Sequence, residues 1–299
     1  MNTMEKLTTR FTFGGDEFIY AEVSRAMNVE ANFKVLAVTD EIRRCNIPGV
    51  TEICPANASY LIRYNPDIIR PLDLLDVLRE IDEQKSDISG LTLQSRVVEI
   101  PIWYDDPITK ECAAKFKDRH QDPSVSNLEF VMKINGFKDK EDFIHAHSSA
   151  PYLVSMVGFV PGTAWEFPLG VPQENIIEAP KYLRPRTQTP ARAISMAGAF
   201  TVIYPVAGPG GYQLIGMSAV PVYDPEQKLE DLKDTLILAK AGDIWKHRPI
   251  DESEYNKIVA EVEAGTYRYN IKSIEFSPEE YFAKTQQYLN ELTEGIAYA

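Results

Sequence analysis

From Tyr152 to Tyr223 the chain breaks into short β-prone runs punctuated by proline and glycine, at Pro161-Gly162, at Pro205 and at Pro209-Gly210-Gly211. Proline withholds a ladder hydrogen bond, and both residues favour turns. The stretch therefore suits the short strands of a β-barrel or sandwich. A chain of 299 residues also exceeds the usual size of one domain, so a second unit is expected outside this stretch.

The first ~90 residues supply that unit. Phe18 to Val23 reads as a strand. Asn32 to Cys45 reads as a helix, because Val35, Leu36, Val38, Ile42 and Cys45 fall largely on one side before Pro48-Gly49 breaks the chain. Val50 to Cys54 and Ser59 to Tyr64 read as strands around a Pro55-Ala56-Asn57 turn, and Leu72 to Ile81 as an amphipathic helix. The order β, α, β, β, α resembles a ferredoxin-like unit. After a linker at Ser86 to Gly90, Arg96 to Tyr104 alternates as a strand, and Lys110 to Ala146 reads as helix in two pieces broken at Gly136. The tail from Asp251 to Ala299 returns to helical periodicity. The expected architecture is α+β, with a ferredoxin-like domain over 1–90, a β-barrel domain over 91–257 and a helical C-terminal extension over 258–299.

Composition excludes several functions. With 44 acidic against 31 basic residues the net charge is −13, which repels nucleic-acid backbones and anionic membrane faces, so neither is an expected partner. No apolar stretch approaches the roughly 18 to 20 residues of a membrane span, and Met1 to Arg10 has no apolar signal core, so a cytoplasmic location is expected. Cys45, Cys54 and Cys112 are odd in number and lack CxxC spacing, and they read as reduced structural residues.

Several motifs are decoys. Gly14-Gly15-Asp16-Glu17-Phe18 spells the diguanylate-cyclase signature, but only thirteen residues precede it, too few for the α/β domain that chemistry needs, so it reads as a hairpin turn. His145 and His147 could share a metal only in an extended segment, and no further Cys or His supports them. No Gly-x-x-x-x-Gly-Lys-Ser/Thr loop or Gly-x-Ser-x-Gly elbow occurs. The strongest local signal runs from His147 to Gly216. Gly158-Phe159-Val160-Pro161-Gly162 and Gly208-Pro209-Gly210-Gly211-Tyr212 are backbone-controlled loops suited to close ligand approach. Between them, Arg184-Pro185-Arg186 sets two guanidinium groups in an extended segment, either as a fork for an oxyanion or as surface ion pairs.

The order of these motifs resembles the family of the 5-oxoprolinase B subunit and allophanate hydrolase subunit 1, whose relatives include a sporulation-kinase inhibitor and part of the carboxyltransferase domain of urea carboxylase. The resemblance is carried by Gly15-Asp16, Ile100-Pro101-Ile102, His147 ahead of Pro151-Tyr152, and Gly158-Phe159-x-Pro161-Gly162. It continues through Ala179-Pro180, Pro185-Arg186, Pro190-Ala191 and Ala197-Gly198. Further on come Ile203-Tyr204-Pro205, Pro209-Gly210-Gly211-Tyr212, Leu214-Ile215-Gly216, Gly242-Asp243 and Arg248-Pro249-Ile250. Asp105-Asp106-Pro107-Ile108, Arg192-Ala193 and Thr163-Ala164-Trp165-Glu166-Phe167 depart from the family pattern, which marks a specialised relative.

The resemblance implies a ferredoxin-like domain followed by a cyclophilin-like barrel. It also implies work inside a complex, beside a sister barrel subunit and hydantoinase- or oxoprolinase-like large subunits, on a small-molecule amide, lactam or ketone, as part of a 5-oxoprolinase-like hydrolase or of an acetophenone-carboxylase-like or urea-carboxylase-like carboxylase. ATP is then used by the complex and bound on a partner subunit, while biotin enters only through the carboxylase relatives. Within the barrel, His147 is the candidate proton donor or orienter, since an unperturbed histidine titrates near neutrality. Arg186 would bind an anionic oxygen. Arg184, Tyr204, Gly210, Gly211, Tyr212 and Gln213 would shape the substrate pocket, and no metal is expected. The rival reading is a regulator that inhibits a sensor histidine kinase through its barrel surface.

Overall fold

The computed structural model describes residues 7–88 and 90–296. The chain divides into two compact units, Met1–Ser95 with Glu275–Tyr288, and Arg96–Ile274 with Leu289–Ala299. Neither unit is one continuous stretch.

In the first unit, β1 (Arg10–Phe13) and β2 (Phe18–Glu22) form a hairpin. Its turn is the Gly-Gly-Asp-Glu segment, closed by the Gly14 N–H donating to Phe18 O at 2.8 Å, with Gly15 at φ 70°. Helix α1 (Val29–Cys45) starts ahead of the expected Asn32 because the Asn28 side chain accepts from Ala31 N, and it ends where Asn46 turns left-handed at φ 44°. Then follow β3 (Val50–Pro55), β4 (Ser59–Tyr64) and α2 (Pro71–Gln84). The sheet order is β1-β2-β4-β3, antiparallel throughout. Val35, Val38 and Ile42 of α1 and Leu74 and Leu78 of α2 share one core with Ile19 and Ile62 of the sheet.

The second unit starts its barrel with β5 (Leu93–Tyr104), followed by three helices where two pieces were expected: α3 (Pro107–Lys115), α4 (Asn127–Ile134) and α5 (Lys140–Ser149). Gly136, at φ 77°, does separate α4 from α5. The additional break ends in a capping box, with Ser126 accepting from Glu129 N and Glu129 from Ser126 N, a Ser-x-x-Glu signal legible in the sequence. The barrel continues through β6 (Pro151–Val157) and β7 (Ala164–Pro168). After β8 (Arg186–Thr189) come β9 (Ala193–Ala197) and β10 (Phe200–Ile203), then β11 (Gly208–Gly210), β12 (Gln213–Ser218) and β13 (Ile244–Pro249). Seven strands pair in the order β12-β9-β10-β7-β6-β13-β5, and β12 pairs back onto β5 to close the barrel. Strands β8 and β11 form a separate two-stranded ribbon. Val98, Ile100 and Ile102 from β5, Ile194 and Met196 from β9 and Trp245 from β13 belong to one buried core.

The tail corrects the expectation of an all-helical extension. Between α6 (Glu252–Glu263) and α7 (Pro278–Thr293) runs a strand, β14 (Ile271–Phe276), which adds to the sheet beside β5. Its buried Ile274 and Phe276 flank an exposed Glu275, the period-2 alternation of a strand. In the first unit, Phe276, Tyr281 and Phe282 gather round the buried Phe33 ring at centroid distances of 5.0, 5.8 and 6.1 Å. No helix among the described residues is long and apolar enough to cross a membrane.

Closure of the barrel depends on one missing side chain. Gly216 lies opposite Tyr104, where a Cβ would stand 2.6 Å from Trp103 O and 3.0 Å from Tyr104 Cα. Backbone atoms in a sheet cannot step aside as a side-chain tip can, so Gly216→Ala should cost about 3 kcal/mol in urea or thermal unfolding. Gly208→Ala, whose methyl meets nothing within 4 Å, should stay within about 0.5 kcal/mol. Equal losses in both variants would refute close strand approach at Gly216.

Candidate functional site

The β8–β11 ribbon places Arg186 opposite Gly210 and Thr189 opposite Gly208, which lays the Arg-Pro-Arg segment beside the second glycine loop. Next to it opens a cavity of about 340 Å³. Phe159, Trp165, Tyr182, Tyr204 and Tyr212 line it together with the backbones of Gly210 and Gly211, and Lys181 is the charged residue among the described lining. Gly210 is required here because a Cβ would fall 2.1 Å from the Tyr204 hydroxyl. The first glycine loop contributes Phe159, which is 68% exposed and held at φ 86°, a conformation that ordinarily belongs to glycine. Such strain costs on the order of 1–3 kcal/mol and collects where a loop must present a particular shape.

Arg186 lies behind this lining and is fully buried. Its guanidinium stacks 4.5 Å from the centroid of the Tyr182 ring, Nη1 donates to Tyr212 O at 2.8 Å, and Nε donates to Thr189 Oγ1 at 3.2 Å. Nη2 makes no hydrogen bond of acceptable geometry, and no carboxylate of the described residues forms an ion pair with this arginine. A guanidinium stays protonated, so a permanent positive charge sits beside an aromatic cavity with carbonyl and hydroxyl oxygens but no counter-ion. Burial raises the hydroxyl pKa of Tyr204, and the Arg186 charge partly offsets this.

Tyr204, Gly210, Gly211 and Tyr212 therefore meet Arg186 around one cavity, and the other candidates lie elsewhere. Arg184 is two-thirds exposed and pairs with Asp118 at 3.0 Å. It sits in the bend at 183–184, ahead of the strand that begins at Arg186, so the two guanidinium groups do not form a fork. Gln213 is buried outside the lining, donating to Pro180 O at 2.8 Å, with Oε1 2.8 Å from His120 Nε2. The His120 ring packs edge-on against Tyr182, so Gln213 supports the cavity wall at one remove. His145 and His147 lie two apart on α5, with the first exposed and the second buried, so they cannot converge on a metal. No metal-holding cluster of His, Cys, Asp or Glu occurs among the described residues.

His147 lies in the barrel core, with Nδ1 2.9 Å from Tyr104 Oη and Nε2 3.0 Å from Thr201 Oγ1. Its contacts share no residue with those of Arg186. Burial first and the stacked His247 ring second, 5.3 Å away and nearly parallel, hold it neutral by lowering its pKa well below the usual histidine value. His247 in turn meets Glu166, Nε2 to Oε2 at 2.7 Å, with both side chains fully buried. Burial, then the charge of Lys246, lowers His247 to about 3, while burial raises Glu166 well above the ordinary carboxylate range. The pair therefore carries one proton, on the carboxyl group, and no net charge. Sequence reasoning missed this pair, although a glutamate at the inward position of Ala164-Trp165-Glu166-Phe167-Pro168 breaks the apolar alternation and was the available signal.

Residues 9–232 match the profile of the family described as carboxyltransferase domain, subdomain C and D. Over 252 residues the chain is 29% identical to the B subunit of 5-oxoprolinase from Bacillus subtilis (strain 168), covering 81% of this chain and 93% of that one. It is 22% identical over 287 residues to urea amidolyase of Saccharomyces cerevisiae, which spans 94% of this chain but 15% of the yeast protein. Among solved structures, K. lactis urea amidolyase superposes with a TM-score of 0.81 at 20% identity, covering 98% of this chain and 18% of that one. The chain spans nearly all of the bacterial subunit and less than a fifth of each of the two fungal proteins.

The proton shared by Glu166 and His247 has a pH signature. Between the ordinary values of 4.5 and 6.5 the unfolded pair also carries one proton, so its contribution to stability is flat. Above 6.5 the unfolded pair carries none while the folded pair keeps one, so stability falls as pH rises. Below 4.5 the unfolded pair takes up a second proton that the folded pair refuses down to about 3, so stability falls again. Either limb reaches at most about 1.4 kcal/mol per pH unit. Glu166→Gln keeps a donor facing His247 but removes the titrating acid. Urea titrations across pH should then show the alkaline limb flattened relative to wild type, and the acid limb starting at 6.5 in place of 4.5. Unchanged limbs would mean that the pair is not a neutral acid and imidazole.

Proposed function

Because the chain belongs to the family of carboxyltransferase domains, subdomains C and D, we propose that it is a subunit of a multi-subunit, ATP-dependent enzyme acting on an amide, lactam or ketone. The chemistry is either hydrolysis of the 5-oxoprolinase type or carboxylation of the urea-carboxylase type. The observation that carries the reading to this chain's own residues is the buried Arg186, without counter-ion, behind a cavity walled by both glycine loops. A fixed cation beside a carbonyl-bearing ligand stabilises negative charge developing on oxygen, and in a water-poor wall it does so without reorganisation. The lining does not fit a nucleoside triphosphate, since one lysine faces a mostly aromatic surface. ATP is accordingly assigned to partner subunits, which on this reading are a sister barrel subunit and large subunits of the hydantoinase or oxoprolinase kind, in the cytoplasm. Biotin, if the reaction is a carboxylation, belongs to those partners as well.

The strand order β2-β4-β3 with helices after β2 and β4 supports reading the first unit as ferredoxin-like, completed at its edge by β1, and the closed barrel as cyclophilin-like. The domain limits at 90 and 257 stand with this proposal. His147, with both ring nitrogens bonded inside the core, is assigned to holding the barrel. The test is reconstitution. Purified chain added to its co-purifying large subunits should restore ATP-dependent turnover, and folded Arg186→Gln should restore it at least tenfold less well. His147→Gln should retain turnover in whatever fraction folds. Wild-type turnover with Arg186→Gln would remove the arginine from the chemistry, and stoichiometric binding to a sensor histidine kinase without any turnover would favour the regulator.

A further inference from the structure

Resting on the reading of this cavity as the substrate site, we propose that its ligand is an anion that carries an aromatic ring. The size is the first constraint. A dry apolar cavity of about 150 Å³ holds one benzene molecule. The 340 Å³ here leaves room for one ring plus a substituent of several heavy atoms. The lining is the second. Trp165 and Tyr212 stand edge to face at 88° with their centroids 6.1 Å apart, and Trp165 also meets Phe200 at 74°. The indole is pinned by its Nε1–H donating to Gly158 O at 3.2 Å. Rings already locked at right angles offer a guest ring the edge-to-face contacts that aromatic pairs prefer, which a saturated ring of the same size cannot return.

Charge is the third constraint. The lining holds Lys181, whose Nζ sits 5.4 Å from the centroid of the Tyr212 ring and whose side chain is exposed, so it can meet a ligand group at the opening of the cavity. Behind the same wall lies Arg186, buried without a carboxylate. Both cations act on one cavity, and no acidic residue is among the described lining. A neutral aromatic would leave that potential unused, and a small polar anion without a ring would leave the five aromatic side chains facing water.

The experiment is calorimetric titration of the full-length chain with phenylacetate, with cyclohexylacetate, which has the charge but no π-system, and with 2-phenylacetamide, which has the ring but no charge. Phenylacetate should bind at least tenfold more tightly than either. Lys181→Met should weaken phenylacetate at least threefold and leave the amide unchanged, with Arg186 keeping part of the preference for the anion. Trp165→Leu should bring phenylacetate down to cyclohexylacetate, whereas Trp165→Phe, which keeps a ring and loses the Gly158 bond, should keep most of the preference. Affinities within threefold of one another, or no binding of any of the three at millimolar concentration, would overturn the proposal. If none binds while the chain still restores turnover to its partners, the ligand class falls and the subunit reading stands; if phenylacetate binds selectively but no turnover is restored, the reverse holds.

Discussion

The barrel exists because β12 can lie directly against β5, and that approach is set by a glycine. β5 pairs with β13, with β14 and, over its last residues, with β12. Any side chain at position 216 would press on the peptide linking Trp103 and Tyr104. β12 in turn pairs with β9, and β9 with β10. The register shift between Leu214 and Gly216 lies where β12 also pairs β9, so the strand bends at the point of closure. Tyr104, at the end of the same β5 segment, holds the Nδ1 side of His147, and Thr201 holds the Nε2 side.

Inside the closed barrel the polar groups solve a problem of charge. Glu166, His147 and His247 are all buried where an ion would cost several kcal/mol, and each is kept neutral by proton placement and by hydrogen bonds to Tyr104, Thr201 and one another. Arg186 has no such escape, because its proton cannot leave. The contrast separates buried residues that the core has neutralised from one whose charge persists beside a cavity without a counter-ion. Asp243 shows the ordinary solution, a buried carboxylate held by the Arg96 guanidinium and by Lys240 N. The Gly242-Asp243 motif is thereby accounted for as structure.

What could be read from the sequence follows from how local its causes are. The glycine loops and the helices of the first unit were legible because backbone conformation and 3.6-residue periodicity are properties of neighbouring residues. Grouping Tyr204, Gly210, Gly211 and Tyr212 around one pocket rested on the family resemblance and not on local pattern, since Tyr204 lies outside both glycine loops. His147 was not legible, since the groups that set its chemistry come from β5, β10 and β13, and burial by distant strands is invisible in a window of sequence. Arg184 and Arg186 looked equivalent because the bend at 183–184 carries no strong signal. Trp165 stood out only as a departure from family pattern; its ring borders the cavity from β7, next to the register shift between Val154 and Met156 in the β6–β7 pair. The strand β14 was hidden by the acidic helices on either side of it.

The ring cluster at Phe33 ties an early helix to a segment translated after the barrel. Phe33 is made on α1, yet the aromatic partners that shield it are Phe276, Tyr281 and Phe282, which leave the ribosome only once every barrel strand has been synthesised. The strands β1–β4 and helix α1 precede the barrel in the chain, so Phe33 lacks these three ring partners until the last barrel strand has been made.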